Sequence, residues 1–314
     1  MVERLVRSRL YLMPAFPHFL TFDIEEWYHA NYEGVDEARY AGIPTNLAAL
    51  VDRLIGICER HAARATCFVL GSVAREKPAI VRRLHDAGHE IASHGVAHQL
   101  VSRMSPEEFR ADLALSRRIL EDITGEAVAG YRAPSFSVRR EMLGWYYDVL
   151  EESGIAYSSS VFPGQTFLYG VSDFPPRIHR PLVEGRVRGV VEFPLPRVNW
   201  FGRQMGLYFR FFSARAILRR MRRDARVARS TVLYLHPREI DPQQPRLDLP
   251  FPQSLIHYWG IRGCQRKLET VLAASPGRFA RMRDYAGQVL HSTDQGHSTN
   301  RGAAEARRLR GEQR

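Results

Sequence analysis

HFLTFDIE, residues His18–Glu25, reads as a buried strand that ends in acid. The chain beyond it repeats the theme of apolar strand, then helix. Leu47, Leu50, Val51, Leu54 and Cys58 recur at helical spacing, and ATCFVLG (residues 65–71) is a second apolar strand. A helix through Val81 and Leu84 is ended by Gly88, and EIASH (residues 90–94) is a third strand. Ser105 is a good N-cap, Pro106 suits the first helical position, and the helix they open runs through Phe109, Leu113, Ser116 and Leu120 to Gly125. The alternation continues through AVAGYRAPSF (127–136), a helix over 139–153, AYSSSVF (156–162), VVEFPLPRV (190–198), a basic helix over 214–228 and STVLYLHP (230–237). A helix near 255–274 and a short strand at 279–282 close the series.

Strands that alternate with helices pair in parallel through crossover connections. About seven such units in roughly 270 residues predict an α/β fold, a (β/α) barrel distorted to seven strands rather than a complete eight. A doubly wound open sheet is the alternative, but no glycine-rich dinucleotide loop follows the first strand. The catalytic domain is expected over residues 15–287, with a polar, basic, disordered tail over 288–314. The stretches 162–181 and 241–252 read as long connections near a site.

Composition sets the class. Of 314 residues, 45% are hydrophobic and 25% charged, which suits a globular chain with a sizeable core. The net charge of +11 is carried mostly by arginine and unevenly placed, with seven arginines from Arg215 to Arg229 and five from Arg301 to Arg314. Such a surface favours anionic partners, a membrane surface among them, although a solvated helix face and tail is the blander reading. No nucleic-acid-binding motif accompanies the arginines, so no nucleic-acid partner is expected. Cys58, Cys67 and Cys264 are too few and scattered for a disulfide scaffold and read as core thiols. With no apolar run fit for a signal peptide or membrane span, a cytoplasmic location is expected, at the inner membrane face if the basic helix meets lipid.

The strand ends carry the chemistry. Alternation puts Asp23 and Glu25 on one face of the first strand and Ile24 and Glu26 on the other. Two carboxylates turned into an apolar wall repel unless a cation joins them. A bulge at the strand end would exchange Glu25 for Glu26. His94 and His98, four apart and expected on one helical turn, could bind one divalent ion. With a carboxylate they make two histidines and one acid, leaving positions open for water and substrate. Arg132 can hold a carboxylate and keep it ionised. Pro134 fixes a turn that aims the Ser135 amide at a developing oxyanion, and His236 ends a later strand at the same mouth.

The ordered set TFDIEE, SHGVAH, YRAPSF and LYLHP resembles the polysaccharide deacetylase family with NodB homology, carbohydrate esterase family 4, over residues 18–286. The stretch HPREIDPQQPRLDLPF resembles the C-terminal extension of the branch found in exosortase and PEP-CTERM exopolysaccharide loci. The resemblance implies Asp23 as general base, His94 and His98 as metal ligands, and Arg132 as the group that orients the base. It implies the Ser135 amide in an oxyanion hole and His236 as general acid. The cofactor implied is one divalent metal ion, zinc first, with cobalt, manganese or nickel as alternatives. The substrate implied is an acetylated polysaccharide or a lipid-linked oligosaccharide. The chain has Asp-x-Glu where two adjacent aspartates are commoner, and no acidic-tryptophan motif beyond Trp200 as an aromatic candidate. Trp27, Tyr28, Tyr208 and Trp259 are candidates to stack on sugar rings. A different amide hydrolase on the same barrel, such as an allantoinase-like enzyme, and a non-catalytic carbohydrate-binding relic are the other readings.

Overall fold

Strand alternation sorts the chain into an inner and an outer face. In a computed structural model that describes residues 16–290, apart from 33–34, 36–38, 41, 165–169, 201–202 and 207–208, the first half runs through five strands and five helices. These are β1 (Phe19–Ile24), α1 (Leu47–Arg60), β2 (Ala65–Val69), α2 (Gly71–Glu76), α3 (Pro78–Asp86), β3 (Glu90–Ser93), α4 (Pro106–Thr124), β4 (Gly130–Tyr131), α5 (Leu143–Glu152) and β5 (Tyr157–Ser158). The hairpin β6 (Leu182–Val183) and β7 (Arg186–Val187), strand β8 (Val191–Glu192) and the hairpin β9 (Arg197–Trp200) and β10 (Arg203–Gly206) come next. Then come α6 (Ala214–Arg226), β11 (Val232–Leu235), α7 (Gln253–Tyr258), α8 (Cys264–Ala273) and a helix over 282–290.

Seven strands form one sheet in the order β11-β1-β2-β3-β4-β5-β8, parallel at every pairing. Leu20, Phe22 and Ile24 of β1 pack outward against Leu50, Val51 and Leu54 of α1. Phe19 points inward with Phe68, Tyr157, Phe193 and Val232. The Phe19 and Phe193 rings stand 5.1 Å apart, although five strand spacings, about 24 Å on a flat sheet, separate β1 from β8. The sheet therefore curls into an incomplete barrel, and β8 and β11 are its unpaired edges. The expected seven-stranded (β/α) barrel is the fold.

The foot of the barrel is plugged by the last helix. Met282 and Ala286 are fully buried, and the Tyr285 ring meets Phe19 edge-on at 5.6 Å. The backbone N–H of Met282 donates to Thr66 Oγ1 and that of Arg283 to Glu90 Oε2. Where a short strand is expected at 279–282, Phe279 forms a single bridge with His18 and the chain turns helical. Residues 288–290 continue that helix, with Val289 and Leu290 against the inner cluster, so a boundary at 287 cuts an element, and residues 291–314 lie outside the described ones.

Other boundaries differ from expectation for local reasons. Pro78 lacks the N–H that would carry α2 onward, so one expected helix becomes α2 and α3. VVEFPLPRV divides into β8 and β9, because Pro194 and Pro196 cannot donate to a ladder. The Ser105 cap stands as expected, with a full capping box to Glu108 that contributes about 1 kcal/mol. The three thiols are buried, and burial pushes those of Cys58 and Cys264 up to about 12.

Candidate active site

The inward face of β1 continues past its last residue. Phe19, Thr21 and Asp23 share that face, and Glu25 follows at the carboxyl end of the strand. Glu25 is 1% exposed, and its Oε2 lies 2.9 Å from His98 Nε2 and 3.8 Å from His94 Nε2. Glu26 turns away, paired with Lys77 and accepting from Thr45 Oγ1 at 3.1 Å. The register thus brings Glu25, not Glu26, to the histidines.

The two imidazoles converge by a different route from the helical turn expected. Residues 94–98 form a loop in which Gly95 (φ 77°) and His98 (φ 54°) are left-handed. A side chain on Gly95 would sit 2.9 Å from Asp112 Oδ2, the carboxylate that accepts the Val96 N–H. The N–H groups of Gly71 and Ser72 at the start of α2 donate to the carbonyls of Gly95 and Val96 and pin the loop from the other side. The ring centroids of His94 and His98 end 5.5 Å apart.

Asp23 sits beside this trio with its position fixed from behind. Arg132, fully buried after β4, donates to Asp23 Oδ1 at 2.6 Å, to Thr21 Oγ1 at 2.9 Å and to Ser159 Oγ at 2.9 Å. Its guanidinium also lies 4.0 Å above the Phe68 ring. Asp23 Oδ2 is left facing His94 Nε2 at 3.7 Å. Ser135, in a left-handed turn (φ 52°), approaches from the next loop. Its Oγ and His98 Nδ1 both lie within hydrogen-bond reach of Asn31 Nδ2, at 3.0 and 3.1 Å.

His236 closes the site from the far edge of the sheet. Its Nε2 lies 3.2 Å from Glu25 Oε1 and 3.0 Å from the Tyr234 hydroxyl. Behind it, Glu239 Oε2 accepts the His236 N–H at 3.1 Å and lies 3.6 Å from Nδ1. Burial pulls the Glu239 carboxyl upward, but His236, Arg210 and Arg238 outweigh it and hold the pKa at about 2. An anion is therefore fixed behind the imidazole. Glu239 is not legible in the sequence, because alternation ends at Pro237 and nothing in PREI marks which side chain returns to the site. The Trp200 side chain and Tyr208 lie outside the described residues, and Trp27 and Tyr28 are buried in a small cluster with Tyr40 and Leu247.

The donor set fits a divalent cation. One ligand atom each from Glu25, His94 and His98 lies within 4.8 Å of the others, all buried. His94 Nδ1 is 2.8 Å from the Arg132 carbonyl, which can only accept, so Nδ1 carries the proton and the Nε2 lone pair faces Glu25 and Asp23. Glu25 Oε2 is buried with no aligned hydrogen bond. Burial opposes ionisation of Glu25, but His98, His236 and Arg238 hold its carboxyl well below the usual range. Burial keeps His94 neutral, with its pKa lowered to about 4. A buried carboxylate oxygen with no aligned hydrogen bond, beside a neutral imidazole lone pair, is chemistry a metal satisfies. His29, stacked on His98 at 5.5 Å, is a further imidazole that the sequence does not single out.

Comparison with known proteins agrees with the geometry. Residues 19–154 match the family model described as polysaccharide deacetylase, and residues 159–287 match a domain of unknown function (DUF3473). Over residues 19–154 the chain is similar to the polysaccharide deacetylase family. The peptidoglycan deacetylase-like protein of Gibberella zeae is 27% identical over 168 residues, covering 49% of this chain and 48% of that protein. The chitooligosaccharide deacetylase of a Bradyrhizobium species is 26% identical over 108 residues, covering 34% and 47%. The chain thus spans about half the length of these relatives. A crystal structure described as a polysaccharide deacetylase from Mycobacterium smegmatis shares the fold, with TM-score 0.61 at 19% identity over 90% of this chain and 96% of that one. The deacetylase portion supplies Asp23, Glu25, both histidines, Arg132 and Ser135, whereas His236, Arg238 and Glu239 come from the second portion.

Proposed function

We propose that this chain is a metal-dependent hydrolase of the polysaccharide deacetylase family that removes N-acetyl groups from N-acetylhexosamine residues of an exopolysaccharide or its lipid-linked precursor. The observation that carries the reading is the convergence on one mouth of Asp23, the Glu25-His94-His98 trio and His236. Glu25, His94 and His98 would hold the ion, with zinc the first choice and cobalt, manganese or nickel the alternatives. A bound ion supplies Lewis acidity to the acetamide carbonyl and makes water a stronger acid.

Each protein group then has one task. Asp23, oriented by Arg132, takes a proton from the attacking water through Oδ2. The Ser135 N–H donates to the carbonyl oxygen as it becomes an oxyanion. The carbon–nitrogen bond breaks as His236 delivers its proton to the departing nitrogen, leaving a free amine on the sugar and acetate as the other product. Glu239 steadies the cationic imidazole before the transfer. The basic helix, with Arg215, Arg219, Arg222, Arg223, Arg226 and Arg229 exposed in the span 215–229, supports work at the cytoplasmic membrane face, as does the resemblance of HPREIDPQQPRLDLPF (236–251) to the C-terminal extension of the exosortase-locus branch.

Acetate release from acetylated chitooligosaccharides tests the reading. The metal-loaded protein should release acetate, a chelator should abolish release, and added zinc should restore it. A folded, metal-loaded protein that releases acetate from no acetylated hexosamine oligomer would end the proposal.

A further inference from the structure

Large apolar side chains scattered singly over a surface need no explanation, but a gathered set marks a contact face. Nine are exposed among the described residues, and four of them, Phe251, Leu255, Ile256 and Trp259, fall between positions 251 and 259. Phe251 is 80% exposed and Trp259 56%. Between these residues and Gly260–Gly263 runs a groove of about 550 Å³, with Arg246 on its lining and Arg262 exposed at its end.

The position of this face ties it to the active site on one side and to the arginines on the other. His257, on the inner side of α7, is 1% exposed and lies 3.3 Å from Arg238 Nη1 and 3.3 Å from the Tyr32 hydroxyl. Arg238 Nη2 in turn stands 3.8 Å from Glu25 Oε1. From the other direction, Arg210 Nη1 donates to the carbonyls of Ile256 and Trp259 at 2.5 and 3.0 Å. Arg210 lies three residues before Ser213, the N-cap of α6. That helix buries Ile217, Met221 and Asp224 and exposes Arg215, Arg219, Arg222, Arg223 and Arg226.

We infer that Phe251, Leu255, Ile256 and Trp259, with Arg246 and Arg262 on the same groove and the exposed arginines of α6, dock on an anionic lipid bilayer. The combination is that of an interfacial anchor, whose apolar side chains enter the boundary of headgroups and acyl chains while arginines meet lipid phosphates. A sugar platform fits less well, since two of the four side chains are aliphatic. A second copy of the chain fits less well, since it would bring a second arginine surface against the first at a net charge of +11. Docked in this way, the face lies two side chains from the active site, since His257 on its inner side meets Arg238 and Arg238 approaches Glu25. The inference deepens the membrane-face part of the proposed function and does not depend on deacetylation. Vesicle binding reports on the one and acetate release on the other.

The full chain is sedimented with vesicles of phosphatidylcholine alone and of phosphatidylcholine with phosphatidylglycerol. Binding is expected to the second and much less to the first. The combined variant Phe251→Ser, Leu255→Ser, Ile256→Ser and Trp259→Ser should lower that binding by at least about tenfold. Its melting temperature should hold, because exposed substitutions cost little, and so should its turnover of soluble oligosaccharides. Trp259 emission should shift to the blue on binding and be quenched by brominated lipid, a signal lost in Trp259→Phe. Equal vesicle binding by the fourfold variant, or no binding by the wild-type chain, overturns the inference. A wild-type dimer that the variant makes monomeric also overturns it, assigning the face to a second copy. A raised KM for soluble oligosaccharides overturns it in favour of sugar binding.

Discussion

Glu25 and Glu26 are adjacent, both nearly fully buried and chemically alike, yet they do different work because a strand turns successive side chains opposite ways. Glu25 meets three imidazoles and Glu26 meets Lys77. Glu25→Gln should therefore remove most bound metal while Glu26→Gln keeps it, measured by metal analysis of the purified proteins. Loss of the ion from Glu26→Gln alone would refute the ligand assignment and leave the deacetylase proposal standing. Asp23→Asn should keep the metal yet lower activity by at least about 100-fold, the scale of a lost general base. Its neighbour Arg132 keeps Thr21 and Ser159 as acceptors, so the variant should stay folded. Wild-type turnover in such a protein would remove Asp23 from the mechanism. His236→Ala should reduce kcat more than it raises KM, since proton delivery matters only in the transition state. A change confined to KM would make His236 a binding residue.

At the scale of elements, the first half of the barrel is legible in the sequence and the second only in part. β1, β2 and β3 are apolar runs whose ends place Asp23, Glu25 and His94, and period-two alternation alone predicts which of them face inward. The loop 94–98 looks like a helical turn from its residues alone, because a four-residue spacing of histidines does not reveal that Gly95 and His98 adopt positive φ. From β4 to β8 every strand has two residues, and Pro194 and Pro196 interrupt the run into β9, so pattern gives way to tertiary contacts. The closing helix over 282–290 escapes sequence reasoning for the same reason. Its sequence mixes Arg283 and Asp284 with Met282, Tyr285 and Ala286, and only the barrel foot makes sense of the order. That helix carries a prediction. Ending the chain after Arg281 strips donors from buried Thr66 and Glu90, at about 1–3 kcal/mol each. It also exposes the partners of Met282 and Tyr285, at about 1.5–3 kcal/mol each. The sum rivals the whole stability of a domain, so this truncation should not fold. Ending after Leu290 removes only a polar, basic stretch and should leave the melting temperature nearly unchanged. A cooperative transition in the shorter chain would show that the plug is dispensable.

Over the molecule as a whole, pH should act through imidazoles built into the barrel away from the active site. His18 and His89 each use Nδ1 to accept a backbone N–H, from Thr231 at 3.2 Å and from Ala65 at 3.1 Å. Burial lowers both from 6.5 to about 4. The neutral form is therefore the native one, and the unfolded chain takes up protons first as pH falls. Their contribution is complete above 6.5, declines as pH drops from there, and is gone below about 4. At pH 5 the loss is about 2 kcal/mol for each histidine. Glu90 and Glu192 work in the opposite sense, because burial raises their pKa and acid relieves the cost of keeping them charged. The wild-type curve alone therefore mixes two slopes, and a variant must separate them. Asparagine at positions 18 and 89 can still accept the backbone N–H through its amide oxygen but does not titrate. Urea unfolding of the wild type and of His18→Asn/His89→Asn at pH 7 and pH 5 gives the difference directly. The double variant should gain on the wild type by a few kcal/mol between the two pH values, whatever its stability at pH 7. A constant difference would mean that both histidines titrate in the folded protein as they do in the unfolded chain, and that the foot of the barrel admits water.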